Sequence, residues 1–302
     1  TPPPTLRRTR PPRGPMTATR PTALVTGASR GIGRATAIAL AEAGWDVAIT
    51  ARTVHEGDAV HQSVDGEVAI PGSLDDTSAR IEALGGHVVP IVMDLLDREC
   101  LAPAVDAAID GLGHLDTLVN NAIYVGPGND HRFLDIDADI LDRRVLGNLT
   151  SQLDVTRRAL AHMVERGCGT IVNLTSPAGY AAPFALPGKG GWGMPYAVSK
   201  AGFHRIAVQV AFEYGDRGIV ALNAQPGMVA TERIMAVGRS RELIAKYGAP
   251  PEVIGRTLAH VVAAANDGPE SLPWPNGDTV ELQDLAHTLG WLDGPGRFPD
   301  PT

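Results

Sequence analysis

Only two cysteines occur in the 302 residues, Cys100 and Cys168, too few and too far apart for a disulfide framework or a Cys-x-x-Cys zinc pair. Reduced thiols are expected. None of the nine histidines falls in an H-x-x-x-H or H-E-x-x-H spacing, so no metal site is predicted. No apolar run reaches about 18 residues, and no charged start leads into an apolar segment, which predicts a protein that neither spans a membrane nor is secreted. A cytoplasmic location follows. Positive charge is in deficit as well: 26 Lys and Arg against 34 Asp and Glu leave a formal charge of -8, which disfavours nucleic acid as a partner. The remaining composition, 44% hydrophobic and 20% charged, is that of a globular protein and excludes a fibrous or wholly disordered chain.

Residues 1–21 hold seven prolines, five arginines and no apolar periodicity, and are read as a disordered leader or upstream extension. From Thr22 onward, over 22–302, short apolar runs alternate with longer amphipathic ones, the pattern of βαβ units. Strands are predicted at 22–26, 45–51, 87–93, 115–121, 169–175, 219–225 and 278–282. Helices are predicted near 32–43, 73–85, 98–110, 137–165, 196–214 and 251–265. The expected fold is α/β: one doubly wound, Rossmann-type domain with a seven-stranded parallel sheet and helices on both faces. Its ligand crevice would lie at the carboxyl ends of the strands. Residues 53–72 and 179–195 break the alternation and read as surface insertions beside that crevice.

The run Thr26-Gly27-Ala28-Ser29-Arg30-Gly31-Ile32-Gly33 follows a strand and opens a helix, the context a dinucleotide-binding loop requires. Gly27 permits the turn, Gly31 lets backbone approach a pyrophosphate, and Gly33 permits close helix packing. The second strand ends in Arg52 where enzymes preferring NAD usually carry an acid, and a guanidinium there can grip a 2′-phosphate, with Arg30 in reach of the same group. NADP(H) is therefore the preferred cofactor, with NAD(H) possible; otherwise Arg52 is a solvated strand-end charge. Asp94, followed by Leu95, ends the third strand where it can accept from an adenine amino group, and Asn120-Asn121-Ala122 closes the fourth. Turn capping is the other reading of both.

Tyr196 and Lys200 stand four residues apart, on one face of a helix. A free phenol has a pKa near ~10, and a fixed cation beside it is expected to lower that value and make Tyr196 a general acid and base. Ser176 ends a strand, where its hydroxyl can donate to a substrate oxygen, with Thr175 as its competitor for that role. Asn148 can hold a water near Lys200.

In order and spacing these residues resemble the classical short-chain dehydrogenase/reductase family over roughly residues 21 to 290. Gly27, Gly31 and Gly33 match its glycine pattern, Asn120 to Ala122 its Asn-Asn-Ala element, and Asn148, Ser176, Tyr196 and Lys200 its catalytic tetrad. Pro226-Gly227, then Val229 and Thr231, is similar to the family's turn against the nicotinamide. The resemblance implies NAD(P)-dependent interconversion of a small-molecule carbonyl and a secondary alcohol, with Tyr196 as acid/base and Lys200 on the nicotinamide ribose. It also implies a homodimer or homotetramer. Three features depart from the pattern: Ile123 replaces the usual glycine, twenty residues separate Ser176 from Tyr196, and the end from Glu281 to Ala286 lacks a compact glycine-rich close, which weighs against the tetramer.

The long loop carries Tyr180, Phe184, Leu186, Trp192 and Met194, either an apolar lid for a hydrophobic substrate or residues that pack the loop down. Residues 228–247 are expected to form a second, mobile wall. Two other functions compete: a cofactor-binding sensor or scaffold without turnover, and an epimerase or dehydratase retaining its nicotinamide. The intact tetrad opposes the first, and the short chain after Lys200 opposes the second.

Overall fold

A computed structural model describes residues 20–63, 66–237, 241–270 and 272–294. Most of the predicted leader lies outside the described residues. Arg20 and Pro21, grouped with that leader on composition, are tied to the sheet: the Pro21 carbonyl accepts from Asp46, and Arg20 pairs with the Asp46 carboxylate at 3.3 Å.

Along the chain run β1 (Thr22–Thr26), α1 (Gly31–Glu42), β2 (Asp46–Ala51), β3 (Val60–Ser63), β4 (Gly66–Ala69), α2 (Leu74–Ala83), β5 (Val88–Val92), α3 (Leu101–Leu112) and β6 (Thr117–Asn120). There follow α4 (Ala138–Val145), α5 (Ser151–Arg166), β7 (Gly169–Leu174), α6 (Met194–Tyr214), β8 (Ile219–Gln225), α7 (Glu232–Val237), α8 (Arg241–Tyr247), α9 (Pro251–Asn266), β9 (Thr279–Glu281) and α10 (Leu282–Thr288). Seven strands form one parallel sheet in the order β5-β2-β1-β6-β7-β8-β9. The chain builds outward from β1 to β5 and returns to β6 on β1's other side, which opens a crevice at the strands' carboxyl ends.

The predicted strands hold because both sheet faces are covered. In β1, Ala23 and Val25 enter the core beneath α1 and α9, while Leu24 enters the one beneath α3, α5 and α6. Strands β2, β7 and β8 divide their side chains in the same way, by the two-residue period of the pleat. Each fully buried Leu, Ile or Val contributes about 1.5–3 kcal/mol relative to exposure. Pro90 is tolerated because β5 is an edge strand.

Polar residues cross the sheet as well. Asn120, Asn173 and Asn223 stand in register on β6, β7 and β8. Asn120 donates to Asn173 and to Thr156 of α5, both at 2.9 Å, while Asn173 and Asn223 donate to the Phe203 and His204 carbonyls of α6.

Two local features differ from expectation. The insertion at 53–72 contains the antiparallel hairpin of β3 and β4, whose short polar strands give little alternation to read. The single helix expected over 137–165 is divided by a π turn over Leu146–Thr150, where Ser151 N–H reaches back to the Leu146 carbonyl. Gly147 makes room there: a Cβ would stand 2.7 Å from that of Tyr124.

Candidate active site

A cavity of about 630 Å³ occupies the crevice. At one end it is lined by Gly27, Ser29, Arg30, Gly31 and Ile32 of the glycine loop with Arg52, Asp94 and Leu95, and at the other by Asn121, Ala122, Tyr196, Lys200, Pro226 and Thr231. Fourteen residues singled out in the sequence thus share one space. Gly33, Asn148, Ser176, Gly227 and Val229 are not in its lining.

The glycine loop follows from contacts a side chain would prevent. Gly27 has φ +69°, and a Cβ there would lie 2.7 Å from Ala122 Cα; at Gly33 it would lie 2.4 Å from the Gly27 carbonyl. Asn121 fastens the loop to β6 by donating to the Thr26 and Gly27 carbonyls at 2.8 and 3.1 Å. The residues fit a dinucleotide: a glycine cradle opens α1, and its Gly31 N–H already donates to a carboxylate, Oε2 of Glu232, at 2.7 Å.

Arg30 is engaged with the insertion instead of standing free. Its guanidinium donates to the Pro71 carbonyl at 2.8 Å and the Gly72 carbonyl at 2.6 Å, and burial lowers its pKa from the ordinary arginine value. Arg52 is exposed, with Nη1 3.7 Å from Oδ2 of Asp94. The other Asp94 oxygen accepts from Leu96 N–H at 2.9 Å, a turn-capping bond.

At the opposite end, Ser176 stands beside the Tyr196 phenol and favours its ionised form, while the Ser176 Oγ accepts from Ala178 N–H at 3.3 Å. Thr175 also lines the cavity, and its Oγ1 lies 3.0 Å from Nδ1 of His204. Lys200 is buried, and its Nζ donates to the Leu174 carbonyl at 2.7 Å and lies 4.6 Å from the centre of the Phe203 ring. With no carboxylate to compensate its burial, its pKa falls to about 7. The electrostatics of Tyr196 correct the expectation from spacing. Burial pushes the phenol above its ordinary value, outweighing the neighbouring Ser176 and a cation that oppose it. That cation is Arg144, not Lys200.

Arg144 and Asn148 act on the loop after Asn-Asn-Ala. Arg144 is buried and donates to the carbonyls of Tyr124 and Pro127 at 3.2 Å each, and to that of Gly126. Asn148 takes Tyr124 N–H on its Oδ1 and returns its Nδ2 to the Tyr124 carbonyl. Its amide, expected to hold a water, therefore holds a loop. Gln283 of α10 does the same for the turn after β8, donating to the Pro226 and Met228 carbonyls at 2.9 and 2.7 Å. Val229 lies in the core, outside the cavity lining.

A family model described as short chain dehydrogenase matches residues 21–77 and 68–242. The chain belongs to the short-chain dehydrogenase family. A Bradyrhizobium diazoefficiens protein named as a short-chain type dehydrogenase/reductase is 30% identical, covering 86% of this chain and 95% of the relative. A 3-oxoacyl-[acyl-carrier-protein] reductase of Synechocystis is 32% identical, over 83% of this chain and 94% of that protein. A solved structure from Sinorhizobium meliloti, described as a short-chain alcohol dehydrogenase, superposes with a TM-score of 0.69 at 31% identity, covering 88% and 95% of the two chains. This short-chain dehydrogenase is accordingly an NAD(P)-dependent oxidoreductase with a Rossmann-type fold. Among the described residues, no helix is long and apolar enough to cross a membrane.

Sequence reasoning missed Arg144, Glu232, Arg233 and Gln283. Arg143-Arg144 and Glu232-Arg233 read as ordinary surface charge, and only the lack of a solvent-facing alternative for Arg144, visible once folded, distinguishes it.

Proposed function

We propose that this dehydrogenase interconverts a hydrophobic carbonyl compound and its secondary alcohol, preferring NADP(H), with Tyr196 as general acid and base. The observation that carries the reading is that Tyr196 and Lys200, one helical turn apart on α6, both line one end of the cavity, with Ser176 beside the phenol. The nicotinamide, when bound, supplies or accepts the hydride. In reduction the Tyr196 hydroxyl gives its proton to the carbonyl oxygen, Ser176 donates a second bond to that oxygen, and in oxidation the proton returns along the same path. Lys200 is placed to bond the nicotinamide ribose, and a cation at its position favours the phenolate once ligands compensate its burial. Gly27, Ser29, Gly31 and Ile32 would hold the diphosphate, Asp94 and Leu95 the adenine, and Asn121, Ala122, Pro226, Gly227, Val229 and Thr231 the nicotinamide side. Arg52 supports the NADP preference, being an exposed guanidinium at the end of β2.

Support for a hydrophobic substrate comes from the loop before α6. Tyr180, Phe184, Leu186 and Met194 keep 41 to 50% of their surface exposed, although Tyr180 lies against His204 and Phe184 against Trp192, so the loop presents apolar surface in the segment that leads into α6. A homodimer through α5 and α6 is part of the proposal, supported by Phe212 of α6 at 86% exposure. A cytoplasmic location belongs to it as well. The test is nicotinamide oxidation at 340 nm against a carbonyl panel, with Tyr196→Phe beside the wild type. NADPH consumption lost in the variant is expected; cofactor binding with no tyrosine-dependent turnover of any carbonyl or alcohol would favour the sensing role.

A further inference from the structure

Glu232 and Arg233 open α7, the first helix of the wall over the cavity, and both were left without a role above. Glu232 reaches into the cradle. Its Oε2 accepts from Gly31 N–H at 2.7 Å, its Oε1 pairs with Arg34, and its side chain is largely shielded from solvent. The preceding Thr231 closes on the same spot, its Cγ2 3.2 Å from where a Cβ on Gly31 would stand. Helix α7 also packs over β4, so the wall and the hairpin meet above the adenosine end. Arg233 is half-buried in the cavity lining and has no acidic partner among the described residues. Burial and the neighbouring Arg52 both disfavour its charge.

An N–H at the start of α1 together with an arginine one turn on forms an anion site, and here the anion is the chain's own carboxylate. A dinucleotide brings its diphosphate to that place, where it meets like charge. Building on the cofactor reading above, we infer that Glu232 is a built-in competitor of the cofactor diphosphate, holding α7 down on the glycine cradle, and that Arg233 beside it is the cation that receives a cofactor phosphate when Glu232 is displaced. Adjacent residues of one helix then act in opposite directions on cofactor affinity. A helix serving only as scaffold would shift both variants the same way.

The test is equilibrium titration of the full chain with NADPH and NADH, read by quenching of intrinsic fluorescence, for wild type, Glu232→Gln and Arg233→Gln. Loss of the carboxylate's charge is expected to tighten both cofactors about threefold or more, and loss of the guanidinium to weaken binding about fivefold or more. Weakening confined to NADPH assigns Arg233 to the 2′-phosphate; equal weakening of both assigns it to the diphosphate. Unchanged or weaker binding by Glu232→Gln, repeated with Glu232→Ala, overturns the competitor role, and unchanged binding by Arg233→Gln overturns its partner's. Should wild type bind neither nucleotide, the cofactor reading fails first and this proposal goes with it.

Discussion

Asn148 and Tyr124 are joined twice, the asparagine Oδ1 accepting from the Tyr124 N–H at 2.7 Å and its Nδ2 donating to the Tyr124 carbonyl at 3.2 Å. The pair uses both ends of one buried amide to satisfy both backbone groups of a residue in a loop without secondary structure. Arg144 adds bonds to the carbonyls of residues 124, 126 and 127. The wall between Ala122 and the mouth of the cavity is thus fixed from the helix side, by α4 and the π turn that follows it.

Replacing Asn148 by alanine leaves the part-buried Tyr124 N–H unpaired and takes one of two donors from the Tyr124 carbonyl, which keeps its bond from Arg144. A loss of about 1–3 kcal/mol in unfolding free energy is expected from urea denaturation. Turnover should fall further than stability accounts for, measured at saturating cofactor, because the loop lines the reacting end.

Lys200 presents the opposite case, a residue whose removal should stabilise the empty protein. Its folded pKa of about 7 lies below the unfolded value, so between about pH 7 and 10.5 the unfolded chain holds the extra proton and stability rises with pH. Lys200→Met removes a cost on the order of 3 kcal/mol at pH 7 to 8, an advantage that shrinks toward pH 10.5. Thermal unfolding of both proteins across that range checks it; a variant less stable at every pH would contradict the assignment. Activity should be lost throughout.

Arg52 ends β2 with only a loose contact to Asp94. Arg52→Ala is expected to raise the KM for NADPH about tenfold or more while moving that for NADH little, since only one of the two carries a 2′-phosphate. Equal changes for both would place the 2′-phosphate elsewhere.

Gln283 spans the turn after β8, and Gly227 in that turn has φ +68° with a Cβ position 2.3 Å from Nε2 of Gln283. Gly227→Ala should therefore cost more than Gln283→Ala, which loses about 1–3 kcal/mol by leaving the Pro226 carbonyl unpaired, while the Met228 carbonyl keeps its bond from Ala249 N–H. Chemical denaturation of the two variants gives the order.

Much of this was open to reading in the sequence, for definable reasons. Strands buried on both faces print long apolar runs, so β1 and β8 fall where the pattern places them, and Tyr196, Lys200 and the glycines are set by spacing along single elements. What escaped depends on contacts between distant segments. The π turn is set by backbone bonding and by the room Gly147 leaves for Tyr124, the β3–β4 hairpin is too short and polar to alternate, and the burial of Arg144 is decided by a loop some twenty residues earlier. The sign of the Tyr196 shift differs from the expectation for the same cause, because desolvation is a property of the enclosed site and is absent from a Tyr-x-x-x-Lys spacing.

The row of asparagines on β6, β7 and β8 bears on how α6 is seated. Two of their amides clamp the carbonyls of Phe203 and His204, immediately beyond Lys200. Apolar packing alone tolerates sliding of a helix along a sheet, because one methyl group substitutes for another. Directional bonds to two consecutive carbonyls do not. The ladder therefore works as a gauge: strand register, set by the sheet's own backbone pairing, fixes the height at which Tyr196 and Lys200 stand over the crevice. A one-residue slip of β7 or β8 would turn its asparagine to the other face of the sheet and release the helix that carries the reacting phenol.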